Sequence, residues 1–321
     1  MAHGEGMQTL REGAEAALAA PSIFNTQPWC WQVTGGTLRL WADRGRQLLV
    51  ADPEGRMLTI SCGVALHHAR VALAAAGHEA LVQRLPEIGE PDLLAEIRLT
   101  GRRRPTAADL RLREAIRWRR TDRRAFYEGV PAEAAAALVH AAESQCAHLH
   151  LVRPSEVSTL ALAAAQAATL QMEDRGYRKE LIAWTHRPQW SRDGVPVATA
   201  VEPAPRAVPV RDFVPFRERG MPAGPYTDVD AQYAVVFTDQ DTPLDWIQTG
   251  EALSAALLTA TCLGLGTAPI SDVTELTVTR EQLRRLLARI GVPQLAVRIG
   301  KALPGTPPPV PRRPANQVIY S

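Results

Sequence analysis

An internal repeat constrains this chain more than any other feature. Ile60-Ser61-Cys62-Gly63-Val64-Ala65-Leu66 opens an apolar helical run that ends at Gly77. Ile247-Gln248-Thr249-Gly250-Glu251-Ala252-Leu253 opens another, and Gly264 follows Gly250 at the same interval. Downstream, Leu94-Ala95-Glu96-Ile97-Arg98-Leu99 is echoed by Gln294-Leu295-Ala296-Val297-Arg298-Ile299. Upstream, Trp29-Cys30-Trp31-Gln32-Val33 and His148-Leu149-His150-Leu151-Val152 each follow an Ala-rich helical stretch. Strand, glycine-bearing helix and Arg-centred strand recurring in one order read as a duplicated unit. The alternative is chance similarity between two Ala-rich helices.

The copies differ in their polar elements. Copy one carries Ala20-Pro21-Ser22-Ile23-Phe24-Asn25-Thr26-Gln27-Pro28-Trp29, where copy two has only Ala142-Glu143-Ser144-Gln145. Pro21 and Pro28 bar helix continuation, and Ser22 and Asn25 can replace missing backbone hydrogen bonds. The stretch is either an ordered wall facing a ligand or a well-made helix-to-strand connection. Copy two is preceded by Arg117-Trp118-Arg119-Arg120-Thr121-Asp122-Arg123-Arg124-Ala125-Phe126, with no equivalent before copy one. Guanidinium forks match phosphate oxygens in bidentate fashion, although an Arg-rich turn also sits comfortably in water. A further pair, Arg312-Arg313, follows the Pro-rich residues 304–311. Gly264-Leu265-Gly266-Thr267-Ala268-Pro269-Ile270-Ser271-Asp272 follows a helix and lacks a third fingerprint glycine, so it is no Rossmann loop. It is a helix cap or a segment that presents N–H groups to a ligand.

Residues 7–20 pattern as a helix. Trp31 to Val33 and Thr37 to Trp41 form a hairpin about Gly35-Gly36. Residues 58–76 are helical and 94–100 a strand. The halves divide as 1–105 and 106–321. Residues 187–225 fall outside the repeat and contain eight prolines. So long a non-periodic stretch inside a compact chain is a lid, a binding loop or a linker. Trp190, Phe213, Phe216 and Tyr226 are its candidate apolar anchors, which argues against simple disorder.

Composition excludes other classes. The net charge of +2 calls for neither nucleic acid nor an anionic membrane. There are 34 Arg against Lys179 and Lys301, a bias that weakens Arg density as a phosphate signal. The four cysteines form no CxxC, so neither a disulfide framework nor a zinc site is expected. His67 and His68 read as structural residues at a helix surface. No signal peptide pattern is present, and the apolar run 253–269 reads as a buried helix, so a cytoplasmic protein is expected.

Taken together, APSIFNTQPW (20–29), LTISCGVAL (58–66), RRTDRRAF (119–126), DWIQTGEALSAALLTATCLGLGTAPIS (245–271) and PRRPANQVI (311–319) resemble the FMN-dependent nitroreductase superfamily, in its Acg-like branch of two fused halves. The resemblance spans nearly the whole chain. It implies an α+β fold, with a mixed, mostly antiparallel sheet flanked by helices and duplicated as a pseudo-dimer that needs no second chain. It implies one FMN site between the halves and a degenerate second site. Pro21, Ser22 and Asn25 would meet the ring and ribityl; Arg119, Arg120 and Thr121 the phosphate; Arg123 the pyrimidine edge. Pro269, Ile270 and Ser271 would lie along the ring, and Arg312 and Arg313 would complete the phosphate site. Thr121 stands where the family usually has Ser, and Asp272 where Gly is frequent. The flavin itself would supply the chemistry, with NAD(P)H as donor and a small-molecule electron acceptor. The alternative is a flavin storage or sequestration protein, with residues 187–225 as a lid.

Overall fold

The computed structural model describes residues 2–213 and 220–321. The first copy runs α1 (Ala2–Ala17), β1 (Trp29–Thr34), β2 (Thr37–Ala42), α2 (Arg56–Ala75), β3 (His78–Arg84) and β4 (Leu93–Arg102). A connection carries α3 (Ala107–Trp118) and the short β5 (Phe126–Glu128). The second copy runs α4 (Ala132–Glu143), β6 (His148–Leu151), α5 (Val157–Glu173), α6 (Arg175–Thr185), β7 (Gln232–Thr238), α7 (Pro243–Cys262), β8 (Gly266–Ile270), α8 (Asp272–Glu275), α9 (Thr277–Leu286) and β9 (Val292–Ala302). A tail ends in β10 (Ile319–Tyr320).

Among the described residues the strands form two sheets, ordered β10-β1-β2-β4-β3 and β5-β9-β7-β6, with β8 also on β9. Every pair is antiparallel except β1 with β10. The order β1-β2-β4-β3 recurs as β6-β7-β9-β8, and α1 and α2 recur as α4 and α7, so the expected duplicated α+β fold forms. The tail crosses back: β10 pairs with β1, so the end of the chain completes the first sheet.

The two long helices meet at the centre. Each carries a glycine where the backbones cross. A Cβ on Gly63 would lie 2.2 Å from the Ile247 carbonyl oxygen, and one on Gly250 would lie 2.1 Å from that of Ile60. Only glycine permits so close an approach. Beside the crossing, the Ser254 hydroxyl lies 2.8 Å from His67 Nδ1 and 3.0 Å from His68 Nδ1. Both histidines are therefore buried in the helix interface rather than placed on a helix surface. Burial holds them neutral, His67 pushed down to about 3. α2 is apolar and long enough to cross a membrane, but 89% of its apolar window is buried inside the fold.

Local chemistry sets the helix starts. Thr106 caps α3 and Thr242 caps α7, each in a reciprocal capping box with an aspartate three residues on. Asp52 accepts from the Met57 and Leu58 N–H groups at the start of α2. Strand periodicity places Trp29, Trp31 and Val33 in the core, with intervening residues outward.

The copies differ most between their first two strands. Gly35-Gly36 join β1 and β2 with positive φ at both residues. Residues 152–231 join β6 and β7. This insertion contains α5, which packs with α8 and α9 on the second sheet, then α6, then the Pro-rich segment. That segment is stitched by backbone bonds between Met221 and Ala200, Glu202 and Met221, and Ala207 and Thr227. Phe213 packs edge-on against Phe24, with ring centres 5.6 Å apart. Trp190, expected as an anchor, is 83% exposed, and Tyr226 is 43% exposed. Phe216 lies outside the described residues.

Candidate functional site

The wall 20–29 is held in an unusual conformation. Phe24, Asn25 and Gln27 all have positive φ, a region that costs a non-glycine residue roughly 1–3 kcal/mol. The surroundings hold them there. The Ser22 hydroxyl accepts from the Gln27 N–H at 2.9 Å, and the Ile23 N–H donates to the Ser61 hydroxyl at 3.2 Å. Gln27 Nε2 donates to the Arg192 carbonyl at 2.9 Å. Asn25 Nδ2 donates to the carbonyls of Gly194 and Pro311, and its Oδ1 accepts from Arg312 Nη1 at 2.7 Å. Asn25 thus braces wall, insert and tail together.

The arginine cluster leaves the end of α3 and is tied to β8. Arg119 caps α3, its N–H donating to the Ala115 carbonyl. Thr121 then bridges Thr267, and the Asp122 N–H donates to the Thr267 carbonyl at 2.9 Å. Below lies Arg298, fully buried and paired with Asp228, donating to the carbonyls of Asp122 at 2.8 Å and Arg124 at 2.9 Å. In the sequence Arg298 is marked only as the echo of Arg98 in a repeated strand. In the first copy Arg98 is exposed and pairs with Glu96.

These elements enclose a cavity of about 250 Å³. Pro21, Ser22 and Asn25 line one side, Arg119, Arg120, Thr121 and Arg123 the other, and Arg312 reaches in from the tail. Wall and cluster, each confined to one copy in the sequence, meet here. A slot of about 90 Å³ continues inward and shares Pro21, Ser22, Thr121 and Arg123 with it. Its remaining lining includes Ile60, Val64, Leu253, Phe213, Pro269 and Ser271. The outer chamber is cationic and the inner slot largely apolar.

The charge in the outer chamber is unmatched. Arg119 is 4% exposed, and its Nε and Nη1 are buried with no hydrogen-bond partner. Arg120 and Arg312 each also have a buried, unpartnered Nε. None of the three forms an ion pair with a carboxylate among the described residues. Burial and the neighbouring Arg312 and Arg120 push Arg119 down to about 9, and burial with Arg120 pushes Arg312 to about 10. A guanidinium does not give up its proton in a protein, so such shifts express the cost of burying these like charges beside one another. Arg123 is likewise pushed to about 10 by burial, Arg211 and Arg298. It donates to the Thr199 carbonyl at 3.2 Å and lies 4.7 Å from the centre of the Phe213 ring.

Arg313 sits elsewhere, and Ile270 lines a recess beside the slot rather than the slot itself. Arg313 does not line the chamber: it donates to the carbonyls of Gln27 and Gln317 and pairs with Asp43 at 3.5 Å. Neighbouring side chains in extended backbone point to opposite sides, so Arg312 faces in and Arg313 out. The same alternation in β8 turns Pro269 to the slot, while the Ile270 side chain packs with Val273 and Leu283 in the second sheet's core.

The place related to the slot by the repeat is filled. Val64 corresponds to Glu251 and Ser271 to Arg84. Glu251, fully buried, is clamped by Arg70 and Arg84 at 2.6 Å each.

Among the described residues, the duplicated α+β chain thus holds a cationic chamber that opens on a largely apolar slot. No family model matches the chain. Relatives by sequence identify it: the chain belongs to the NAD(P)H nitroreductase family. Rv3131 of Mycobacterium tuberculosis H37Rv, named as a candidate NAD(P)H nitroreductase, is 37% identical over 322 residues, covering 99% of this chain and 92% of that one. The acg protein of the same strain, named likewise, is 31% identical over 321 residues, covering 97% and 95%. Among solved structures, the FMN- and NADPH-dependent nitroreductase NfnB of Sphigopyxis sp. strain HMH aligns with a TM-score of 0.43 at 17% identity, covering 65% of this chain and 98% of that one. A nitroreductase with bound FMN from Desulfitobacterium hafniense DCB-2 gives a TM-score of 0.41 at 17% identity, covering 66% and 98%.

Proposed function

We propose that the chain is an FMN-dependent NAD(P)H oxidoreductase with one cofactor site, lying between the halves 1–105 and 106–321. The observation that carries this reading is the carboxylate-free meeting of Arg119, Arg120 and Arg312. Three converging guanidiniums, each with an orphaned buried donor, favour a dianion, and a terminal phosphate supplies both charge and acceptors. The adjoining slot between Pro21, Phe213 and Pro269 suits a flat apolar ring. The residues present therefore fit FMN.

Bound flavin would supply the redox chemistry, accepting a hydride from NAD(P)H and passing electrons to a small acceptor such as a nitro compound or quinone. The protein's residues would bind, orient and shield it. Arg119, Arg120 and Arg312 hold the phosphate, with the Thr121 hydroxyl beside them. The wall, fixed by Asn25 and Ser22, meets the ring and ribityl. Arg123 sets positive charge at the pyrimidine edge, and Phe24 and Phe213 exclude water. The four cysteines are free, in keeping with a reducing, cytoplasmic setting. A monomer suffices, because both sides of the site belong to one chain.

A second reading, sequestration without turnover, draws on the insert. Val195, Thr199 and Phe213 all line the site, and a covered ring exchanges donor and acceptor poorly. The two readings separate on anaerobic addition of NADH or NADPH to flavin-loaded protein. Bleaching of the oxidised flavin band supports the oxidoreductase, and a band that persists under excess donor supports sequestration. Protein that neither carries nor takes up FMN overturns both. The Arg119→Ala, Arg120→Ala double variant is expected to lose FMN by at least a hundredfold in affinity, and unchanged affinity overturns the phosphate assignment.

A further inference from the structure

Beside the slot lies a recess of about 50 Å³ lined by Arg123, Arg211, Phe213, Ser271, Asp272 and Arg298. It shares Arg123, Phe213, Pro269 and Ser271 with the slot, so the two lie against the same residues. Arg211 comes from the Pro-rich insert, not from the β-scaffold. Its Nη2 donates to Glu275 Oε1 at 2.6 Å and to the Ser271 hydroxyl at 3.4 Å. Its Nη1 is buried without a partner. The guanidinium carbon stands 4.8 Å from the centre of the Phe24 ring and 5.8 Å from that of Phe213, rings that exclude water from this side.

The carboxylates around the recess do not cancel its cations. Glu275 holds Arg211. Asp228 is shared by Arg206 and Arg298. Asp272 is 3% exposed, and burial raises its carboxyl to about 6, which still leaves it mostly ionised at pH 7, so three carboxylates face the four guanidiniums of Arg123, Arg206, Arg211 and Arg298. Arg123 forms no ion pair among the described residues. One positive charge is left over, and a buried guanidinium N–H has no acceptor.

We infer that Arg211 is a second cation, beside Arg123, at the pyrimidine edge of the bound ring, and that it stabilises the ring's reduced, anionic form. The inference rests on the flavin reading above. Its balance is simple. Two electrons and one proton arrive as a hydride from NAD(P)H, which leaves as NAD(P)⁺, and the neutral ring gains one negative charge. Arg211 and Arg123 meet that charge in a water-poor recess, where preorganised donors act most strongly.

The test is the midpoint potential of the flavin in full-length loaded protein, measured by dye-equilibrated spectroelectrochemistry. Arg211→Gln is expected to shift the reduced-to-oxidised ratio roughly tenfold toward the oxidised form, about 30 mV downward for a two-electron couple. Arg211→Lys keeps the charge and is expected to recover most of the shift. Glu275→Gln leaves Arg211 unopposed and is expected to raise the potential. That reversal of sign is one a merely structural role would not give. An unmoved potential in Arg211→Gln, or a fall in Glu275→Gln, overturns the inference. Should Arg211→Gln fail to fold, the Lys and Glu275→Gln variants decide. Wild-type protein that takes up no FMN overturns the flavin reading itself, a result distinct from loaded protein whose potential does not respond.

Discussion

Gly63 and Gly250 touch backbone to backbone where α2 crosses α7, and this contact is where the two copies join. A methyl group on either residue collides with main-chain atoms of the other helix, not with a side chain that can rotate away. Gly250→Ala is therefore expected to cost about 3 kcal/mol or more. Gly4→Ala, in α1 with nothing within 4 Å of the added Cβ, is expected to be neutral or stabilising by up to about 1 kcal/mol. Denaturant midpoints of the two variants provide the comparison. Equal midpoints would show that the helices part easily and that the crossing does not limit the fold.

Arg298 and its counterpart Arg98 show how one repeated residue has taken two roles. Arg98 is solvated. Arg298 pairs with Asp228 and carries the carbonyls of Asp122 and Arg124. Arg298→Met is expected to destabilise by about 3–5 kcal/mol, because Asp228 stays buried with one cation fewer. It is also expected to weaken FMN binding without removing any residue of the outer chamber. Arg298→Lys should restore part of the stability but not the affinity, since one ammonium cannot reproduce the guanidinium fork. Calorimetry and fluorescence titration of FMN separate the two effects. Full affinity in the Lys variant would show that the cluster does not need this support.

Asp272 gives a pH signature. Burial raises its carboxyl from 3.8 to about 6, against the opposing pull of Arg211, with Glu275 adding to the rise. The folded chain thus holds this proton more tightly than the unfolded chain. The contribution is favourable below about pH 4, declines as pH rises from about 4 to 6, and stays lost above that. The loss amounts to roughly 3 kcal/mol at most. Asp272→Asn is expected to be more stable than wild type at pH 7.5 and indistinguishable from it at pH 4. Urea unfolding at both values tests this, and a constant difference between them would show that Asp272 titrates normally.

The seam and the site differ in how far they could be read ahead of the structure. The correspondence of Gly63 with Gly250 was legible as a repeat interval, but their contact was not, because a repeat alone does not show which helices cross. The meeting of wall and arginine cluster was implied by the family resemblance, which explains why each copy lacks what the other has. What escaped depends on tertiary context. Phe24, Asn25 and Gln27 adopt positive φ without being glycine, a choice imposed by partners as distant as Gly194 and Arg312. β7 is buried along almost its whole length and so shows no alternation. β10 is two residues long and exists only because β1 offers it an edge. Arg312 and Arg313 are equivalent in sequence, and only the direction of the extended tail tells them apart.

The triad of Arg70, Glu251 and Arg84 accounts for the expectation of a single working site. It stands where the repeat would put a second ring slot, with Glu251 in place of Val64 and Arg84 in place of Ser271. Loaded protein is therefore expected to carry one FMN per chain, measured from flavin absorbance after denaturation against amino-acid analysis. The triad should also be structural. Arg84→Ala leaves Glu251, fully buried, with Arg70 alone, and is expected to cost about 3 kcal/mol. Arg98→Ala, at an exposed pair, is expected to cost less than about 1 kcal/mol. The Arg84→Ala variant should still bind one FMN with wild-type affinity, because the triad lies outside the chamber. Two flavins per wild-type chain, or a loss of flavin in Arg84→Ala with the fold intact, would show that the second slot takes part in binding.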